Sequence, residues 1–352
     1  MNKNNAFTLD STGCLSQDDT KRYYSRIGFF YLILAGTSFL TTTIAATVIT
    51  LFFPWIAKNE IYASIANYAI SLVGIYLISM PLASIMLKPL PSVKPLKEKM
   101  KFKHLFGALC ICFCFMLTGS YFSMYLQDLI QLIKGGEIQN NLEETLSMGD
   151  IILNILCVGI IFPILEELLF RKLLCNKLLP LGEKQAVIIS AAIFGFIHGN
   201  IFQFLYAFLV GLVFGYIYVK SGKIIYSIIF HCVINLFTGI FASFVASLPI
   251  TKVLEELLMD ESILYKPELI AEAIEPYMLQ LPIYLFYSYA LMGLSVAGFV
   301  IFFILTIKRR ITFEQGILPP AKEHAVGNFF LTTGVAGAVA FTAFKFIYSF
   351  FI

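Results

Sequence analysis

Long apolar stretches recur along the whole chain, and they restrict its fold more than any other feature. In the hydrocarbon core of a bilayer the backbone must satisfy its own hydrogen bonds, so about 20 apolar residues in a row indicate a membrane-spanning helix. Only 13% of the residues are charged, whereas soluble domains carry about 25%. The sequence therefore predicts an all-α, polytopic membrane helix bundle of about eight to nine transmembrane helices. The predicted spans are residues 27–53, 62–87, 104–127, 149–178, 184–200, 201–219, 223–247, 281–307 and 326–351.

Charge alternates between the connections and predicts the orientation of the bundle. Lysines and arginines precede the first span and fill every second connection, whereas the intervening connections are acidic or nearly neutral. Because basic connections stay on the cytoplasmic side, we expect a cytoplasmic N-terminus. Residue usage indicates a bacterial protein, so we expect an integral protein of the bacterial plasma membrane. The net charge of +3 is spread over these connections, so the expected partner is the lipid bilayer and no nucleic acid. The acidic connections contain Glu137, Glu143, Glu144, Glu255, Glu256, Asp260, Glu261, Glu268, Glu272 and Glu275.

The same pattern divides the chain into three parts. Residues 1–148 hold a polar N-terminal tail and three accessory transmembrane helices, and residues 149–247 hold a membrane core that we predict to be catalytic. Residues 248–352 hold an outer-side segment and two C-terminal transmembrane helices. The outer segment is less apolar and is predicted to form an amphipathic or loop element.

Ionisable and amide side chains cluster in the central spans, where they are costly and by default indicate a functional site. Counted at 1.5 Å per residue from the cytoplasmic ends of their helices, Glu166, His198 and Asn235 lie at similar depths of roughly 18 to 20 Å, although their helices run in alternating directions. We therefore expect these side chains to meet. The complete set is Glu166, Glu167, Arg171, His198, His231 and Asn235.

Helical phase assigns the two adjacent glutamates to different contacts. Glu167 and Arg171 are four residues apart and share a face, so they can form an ion pair. Glu166 is rotated from that face by about 100°. We therefore expect Arg171 to hold Glu167 and to leave Glu166 free to project into a cavity.

The same spacing recurs on the other two spans. His231 and Asn235 are four residues apart and can face one point, and Phe194 lies one turn before His198, where it could wall the site or orient the imidazole. Small residues at this spacing predict close packing of the neighbouring helices. They are Ala191, Gly195, Gly199, Gly211 and Gly215.

These residue types suit the hydrolysis of an amide. A carboxylate beside a neutral histidine can bind and deprotonate a water molecule, and a second histidine with an asparagine can donate hydrogen bonds to the oxyanion that forms. The sequence contains no His-Glu-x-x-His zinc motif and no Gly-x-Gly-Asp. Helical phase favours Glu166 as the base of a site without a cofactor, and zinc held by Glu166, His198 and His231 is the alternative.

Three motifs in this order resemble those of the CAAX protease and bacteriocin-processing family of intramembrane endopeptidases, which includes the type II CAAX prenyl endopeptidases. They are "EELLFR" from Glu166 to Arg171, "FGFIH" from Phe194 to His198, and "HCVIN" from His231 to Asn235. The resemblance covers roughly residues 150–245. It implies that Glu166 and His198 activate water, that His231 and Asn235 stabilise the oxyanion, and that Glu167 and Arg171 support the site.

The leading hypothesis is thus an intramembrane endopeptidase that acts on a peptide or a membrane-associated protein, with a site opening towards the cytoplasm. In bacteria the resemblance suggests the processing of bacteriocins or similar peptides. Two other classes stay open at this point. A proton-coupled transporter could use the carboxylates and histidines as a relay, and a non-catalytic bacteriocin-immunity membrane protein could keep them for stability.

Overall fold

The structure of the protein, a computed structural model, describes residues 7–135, 151–259, 266–321 and 332–348. Over these ranges the chain is mainly helical, with three isolated β-bridges and no β-strand. The predicted all-α class is therefore confirmed. Some acidic residues of the predicted connections lie outside the described residues, namely Glu137, Glu143, Glu144, Asp260 and Glu261.

The described helices follow the predicted spans closely, and several contain π-helical segments. In chain order they are α1 Gln17–Phe52, α2 Glu60–Leu87, α3 Phe102–Lys134, α4 Ile151–Leu181, α5 Glu183–Ile197, α6 Ile201–Ser221, α7 Ile224–Ser247, α8 Pro249–Met259, α9 Pro267–Ile274, α10 Leu281–Ile307 and α11 Thr333–Tyr348. The π-helical segments are Leu72–Ser79 in α2, Cys157–Ile161 and Leu168–Cys175 in α4, and Asn235–Phe241 in α7.

Seven of the described helices are long and apolar enough to cross a membrane, namely α1, α2, α3, α4, α6, α7 and α10. The helices α5 and α11 also occupy predicted spans, but they have only 15 and 16 described residues. At 1.5 Å per residue α5 is about 22 Å long, less than the roughly 30 Å of a bilayer core. The polytopic bundle is confirmed, and two of the nine predicted spans correspond to shorter helices.

The helices α5 and α6 form a tight hairpin. Gly199 takes a left-handed φ of +74° at the turn, and Asn200 caps α6 by accepting a hydrogen bond from the Gln203 amide at 2.7 Å. A Cβ atom added to Gly211 would lie 3.0 Å from the Phe194 ring, so the predicted close packing is present. Because α5 is short, this turn lies within the depth of the membrane.

The basic connections meet at one end of the bundle, which we call the basic end. Backbone hydrogen bonds of 2.8 Å join its segments, from Leu15 N–H to the Pro319 carbonyl and from Glu98 N–H to the Ser221 carbonyl. The helices therefore alternate as predicted, while the direction of the bundle across the membrane stays a prediction. The basic end comprises residues 7–16, 88–101, 176–183, 220–223 and 308–321.

The opposite end, which we call the acidic end, carries the connection 53–59 and the described part of 248–280. The predicted amphipathic element is present there as α8 and α9. Their carboxylate side chains are exposed. These are Glu255, Glu256, Glu268 and Glu272, followed by Glu275 just after α9.

The last helix, α11, packs directly on α1. A Cβ atom added to Gly28 would lie 2.2 Å from the Gly334 carbonyl carbon, so the two backbones touch at this point. Further from the basic end, the Tyr31 hydroxyl lies 2.8 Å from Thr342 Oγ1 and donates to the Phe196 carbonyl at 3.3 Å. The helix α1 thereby joins α11 to the end of α5.

Candidate active site

A buried ion pair on α4 lies behind the candidate site. Arg171 Nε is 3.1 Å from Glu167 Oε2, and neither side chain is exposed. Arg171 Nη1 also donates to Ser190 Oγ at 3.1 Å, and its guanidinium carbon lies 5.5 Å from the centre of the Phe194 ring. The ion pair predicted from the four-residue spacing is confirmed.

His231 lies between the two glutamates and contacts both of them. Its Nδ1 is 3.2 Å from Glu167 Oε1, and its Nε2 is 3.4 Å from Glu166 Oε2. Glu166 lines a cavity, as expected, but it also has a contact with His231 that helical phase did not predict. Adjacent helical residues point in different directions, but an imidazole from α7 has a nitrogen on each side and reaches both carboxylates.

His198 stands at the end of α5, with its ring fixed by its own helix. Its Nδ1 lies 2.9 Å from the Phe194 carbonyl. Because a carbonyl oxygen only accepts hydrogen bonds, Nδ1 carries a proton, and Nε2 of the neutral ring keeps its lone pair. The Phe194 ring is nearly perpendicular to the rings of His198 and His231, at centroid distances of 5.3 and 5.4 Å, so it contacts both imidazoles.

Asn235 has a contact that the sequence analysis missed. Its Nδ2 donates to the Val158 carbonyl at 2.9 Å. In this part of α4 the register is π-helical, since Phe162 N–H bonds to the Cys157 carbonyl five residues back. In the same register the Val158 carbonyl would bond to residue 163, which is proline and has no N–H. One N–H of Asn235 fills that vacancy.

A cavity of about 1060 Å³ connects the candidate residues, at the upper end of the size range of small-molecule pockets. From Glu166 it follows α4 to Ile151 and α7 to Ser247, both near the acidic end. The described residues of 88–101 and 308–321 contribute nothing to its lining. Its lining includes Glu166, Phe194, His198, Phe214, His231 and Asn235.

The direction of this cavity corrects one expectation. With basic connections in the cytoplasm, the site was expected to open towards the cytoplasm, but the cavity extends away from the basic end. The reason is that the segments of the basic end bond to one another beneath the site. The sequence predicts only the depth of each polar group along its helix. Depth does not show at which end of the bundle the cavity is closed by packed segments.

Two tyrosines of the cavity wall were also missed. Tyr76 on α2 and Tyr206 on α6 line the same cavity as Glu166. No motif or charge distinguishes them among the 18 tyrosines of the chain. They place two hydroxyl groups within the candidate substrate cavity.

The side chains proposed as alternative zinc ligands are Glu166, His198 and His231, and of these Glu166 and His231 contact each other. Among the described residues, no group of three or more His, Cys, Asp and Glu side chains is arranged to hold a metal ion. Both nitrogens of His231 face carboxylates, and His198 makes its hydrogen bond to the backbone of Phe194.

Comparison with known proteins agrees with the motifs. Residues 148–237 match the family model of the type II CAAX prenyl endopeptidase Rce1-like proteins. The resemblance to CAAX-type intramembrane endopeptidases is confirmed. Over 138 residues the chain is 29% identical to the UPF0177 protein YxdF of Lactococcus lactis subsp. lactis (strain IL1403), an alignment that covers 39% of this chain and 76% of that protein. No solved structure matches.

The Rce1-like region contains the whole candidate site. It begins just before α4 and ends within the π-helical segment of α7, so it includes Glu166, His198, His231 and Asn235. At the level of the family, this match supports an intramembrane endopeptidase with a peptide or protein substrate. The helices α1, α2, α3, α10 and α11 lie outside the matched region.

Proposed function

We propose that this protein is an intramembrane endopeptidase that hydrolyses a peptide bond of a membrane-associated peptide or protein. The observation that carries the proposal is the lining of one cavity by Glu166, His198, His231 and Asn235. The Glu167–Arg171 pair lies directly behind them, fully buried. A carboxylate, two imidazoles and an amide are the groups needed to activate water and to bind an oxyanion.

In the proposed mechanism a water molecule lies between Glu166 and His198. One water proton bonds to His198 Nε2, whose lone pair is directed by the Nδ1 hydrogen bond. The other passes to the Glu166 carboxylate as the water oxygen attacks the carbonyl carbon. When the carbon–nitrogen bond breaks, Glu166 returns this proton to the leaving amine, and the second product is a carboxylic acid.

The oxyanion would be bound by His231 and Asn235. Both ring nitrogens of His231 face carboxylate oxygens, and in this proposal each of them donates a hydrogen bond. Its Nδ1–H donates to Glu167, and its Nε2–H faces Glu166. Once Glu166 has taken the water proton it no longer attracts this N–H, which can then donate to the oxyanion together with the second N–H of Asn235.

Replacing His198 with alanine tests this function directly. We expect cleavage of a fluorogenic peptide library in detergent to fall by about 10²- to 10⁴-fold, the usual contribution of a general acid–base group. His104→Ala is the matched control, because His104 is exposed near the start of α3, far from the cavity along the helix. Cleavage by His198→Ala at the rate of the control would contradict the proposed mechanism, and no cleavage by the unchanged protein would contradict the function.

We further propose that the N-terminus is cytoplasmic in a bacterial plasma membrane, so that the cavity extends towards the outer surface. The proposal rests on the lysines and arginines of the basic end, which are typical of cytoplasmic connections. It also rests on the path of the cavity towards Ser247. A substrate would then enter from the outer half of the membrane. Exported peptides and the outer segments of membrane proteins are the matching substrate class.

Cysteine labelling of intact cells tests this orientation. Cys14 and Cys232, the two native cysteines that are not buried, are first replaced with serine. A cysteine at the exposed Ser247 should then react with a membrane-impermeant maleimide, whereas one at the exposed Ser92 of the basic end should react only after permeabilisation. The reverse pattern would show that the bundle is inserted the other way round.

A further inference from the structure

One face of the helix α2 forms part of the wall of the cavity. Two of its tyrosines contact Phe162 of α4, Tyr68 with ring centroids 5.9 Å apart and Tyr76 with ring centroids 6.4 Å apart. Phe162 lies one turn before Glu166 on the same face of α4, and all four residues line the cavity. The helix α2 therefore borders the candidate site, although it lies outside the Rce1-like region.

Two contacts define the register of α2 against α4. The Tyr68 hydroxyl donates to Asn154 Oδ1, and eight residues further along both helices the Tyr76 ring stacks on Phe162. Tyr76 therefore lies at the level of Phe162, four residues or about 6 Å from Glu166 along α4. This displacement is towards the acidic end, the direction in which the cavity extends. A peptide that reaches Glu166 through the cavity passes Tyr76 first.

A π-helical segment turns Tyr76 onto the cavity face of α2. In an uninterrupted α-helix, nine residues at about 100° each would place Tyr76 about 180° from Asn67. The segment Leu72–Ser79 is π-helical, and Met80 N–H bonds to the Ile75 carbonyl five residues back. Because a π-helical turn contains one residue more than an α-helical turn, Tyr76 is rotated back and lines the cavity together with Asn67. Such turns within α-helices are frequent at functional sites.

Two small residues stabilise the π-helical segment. Ser79 is fully buried, and its hydroxyl donates to the Gly74 carbonyl, five residues back, at 2.7 Å. A Cβ atom added to Gly74 would lie 2.8 Å from Thr41 Oγ1, so the segment packs closely on α1. The direction of Tyr76 is therefore set by contacts of α2 that do not involve Glu166 or the histidines.

The two tyrosines differ in what their hydroxyl groups bind. The Tyr68 hydroxyl is bound to Asn154, whereas in the part of the chain that the structure describes the Tyr76 hydroxyl makes no hydrogen bond. We propose that the Tyr76 hydroxyl donates a hydrogen bond to a main-chain carbonyl of the peptide substrate. The inference rests on the proposed endopeptidase function and adds a substrate-binding residue to it.

The register of α2 also limits which carbonyl is bound. An extended peptide advances about 3.3 Å per residue, so the distance of about 6 Å between the levels of Tyr76 and Glu166 corresponds to about two residues. The carbonyl therefore lies within about two residues of the bond that is cut. A main-chain carbonyl is present at every position of a peptide, and a tyrosine hydroxyl can donate to it. Tyr76 would thus hold the substrate in register whatever its side chains.

Replacing Tyr76 with phenylalanine tests the proposal, because it removes the hydroxyl and leaves the ring on Phe162. We expect kcat/KM for a fluorogenic peptide in detergent to fall by about 3- to 10-fold, the effect of one net hydrogen bond, mainly through KM. Tyr62→Phe is the matched control, because it removes an exposed hydroxyl from the same helix. Equal kcat/KM for the two variants would overturn the proposal.

Thioamide peptides identify the acceptor. In each peptide one carbonyl oxygen beside the cleaved bond is replaced with sulfur, a weaker acceptor, while the cleaved bond keeps its oxygen. The unchanged protein should lose kcat/KM with sulfur at one position, and Tyr76→Phe should lose nothing more there, a coupling that a double-mutant cycle measures. Additive losses at every position would show that the hydroxyl binds no substrate carbonyl and would overturn the proposal.

Two further results would count against it in different ways. A shifted pH profile of kcat in Tyr76→Phe would show that the hydroxyl acts on Glu166 and not on the substrate, and the proposal would be wrong while the endopeptidase function stood. Absence of cleavage by the unchanged protein would contradict the endopeptidase function itself, and the proposal would fail with it.

Discussion

Replacing Glu166 with glutamine is expected to lower the rate of peptide cleavage by at least about 10³-fold while the protein stays folded. Glutamine has the shape of glutamate but cannot take a proton from water. Its amide can still contact His231, which lies 3.4 Å from the Glu166 carboxylate. The Glu167–Arg171 pair behind it does not depend on Glu166, so the loss should appear in kcat.

The measurement is single-turnover cleavage in detergent, with folding followed by the reaction of buried cysteines with a thiol dye. Three neighbouring cysteines of α3 are suited to this readout because all are buried, namely Cys110, Cys112 and Cys114. The variant should protect them as well as the unchanged protein does. Cleavage by Glu166→Gln within tenfold of the unchanged rate would remove Glu166 from the mechanism.

Replacing Arg171 with glutamine is expected to have the largest effect on stability, a loss of about 3–5 kcal/mol in the free energy of unfolding. The Arg171 and Glu167 side chains have no exposed surface. Removal of the cation would leave the Glu167 carboxylate buried with only His231 to balance it. The Phe194 ring would also lose the guanidinium on its face.

A second ion pair of the chain provides the control. Arg22 and Asp19 are also 3.1 Å apart, but the arginine side chain is 42% exposed, so Arg22→Gln should cost no more than about 1 kcal/mol. Unfolding of both variants is compared in detergent by the cysteine assay. The double variant with Glu167→Gln and Arg171→Gln should regain part of the loss, and equal stability of Arg171→Gln and Arg22→Gln would contradict a buried-charge role.

The sequence was sufficient for the features that depend on local periodicity. Apolar runs predicted the helices within a few residues in most cases, and the four-residue spacing of Glu167 and Arg171 predicted their ion pair. Both follow from the geometry of a single helix. The depth of the polar residues also predicted that α4, α5 and α7 bring their side chains into one cavity.

Contacts between helices could not be predicted in the same way. His231 reaches both glutamates because α7 presents its ring between them, which no spacing within α4 reveals. The bond from Asn235 to the Val158 carbonyl depends on a π-helical register ahead of Pro163. The packing of α11 on α1 joins the two ends of the chain, and no spacing in the sequence reveals it.

The path of the cavity also has a consequence for hydration. Hydrolysis consumes one water molecule for each bond cut, and an enzyme inside a bilayer must draw that water from somewhere other than lipid. Near the acidic end the wall carries polar groups, among them Asn67, Ser71, Thr238 and Ser243, which can hold water by hydrogen bonds. A water molecule occupies about 30 Å³, which is a small part of the cavity volume of about 1060 Å³. A substrate segment in the cavity therefore need not displace all the water. The cavity would therefore admit both the peptide substrate and the water molecule that hydrolyses it.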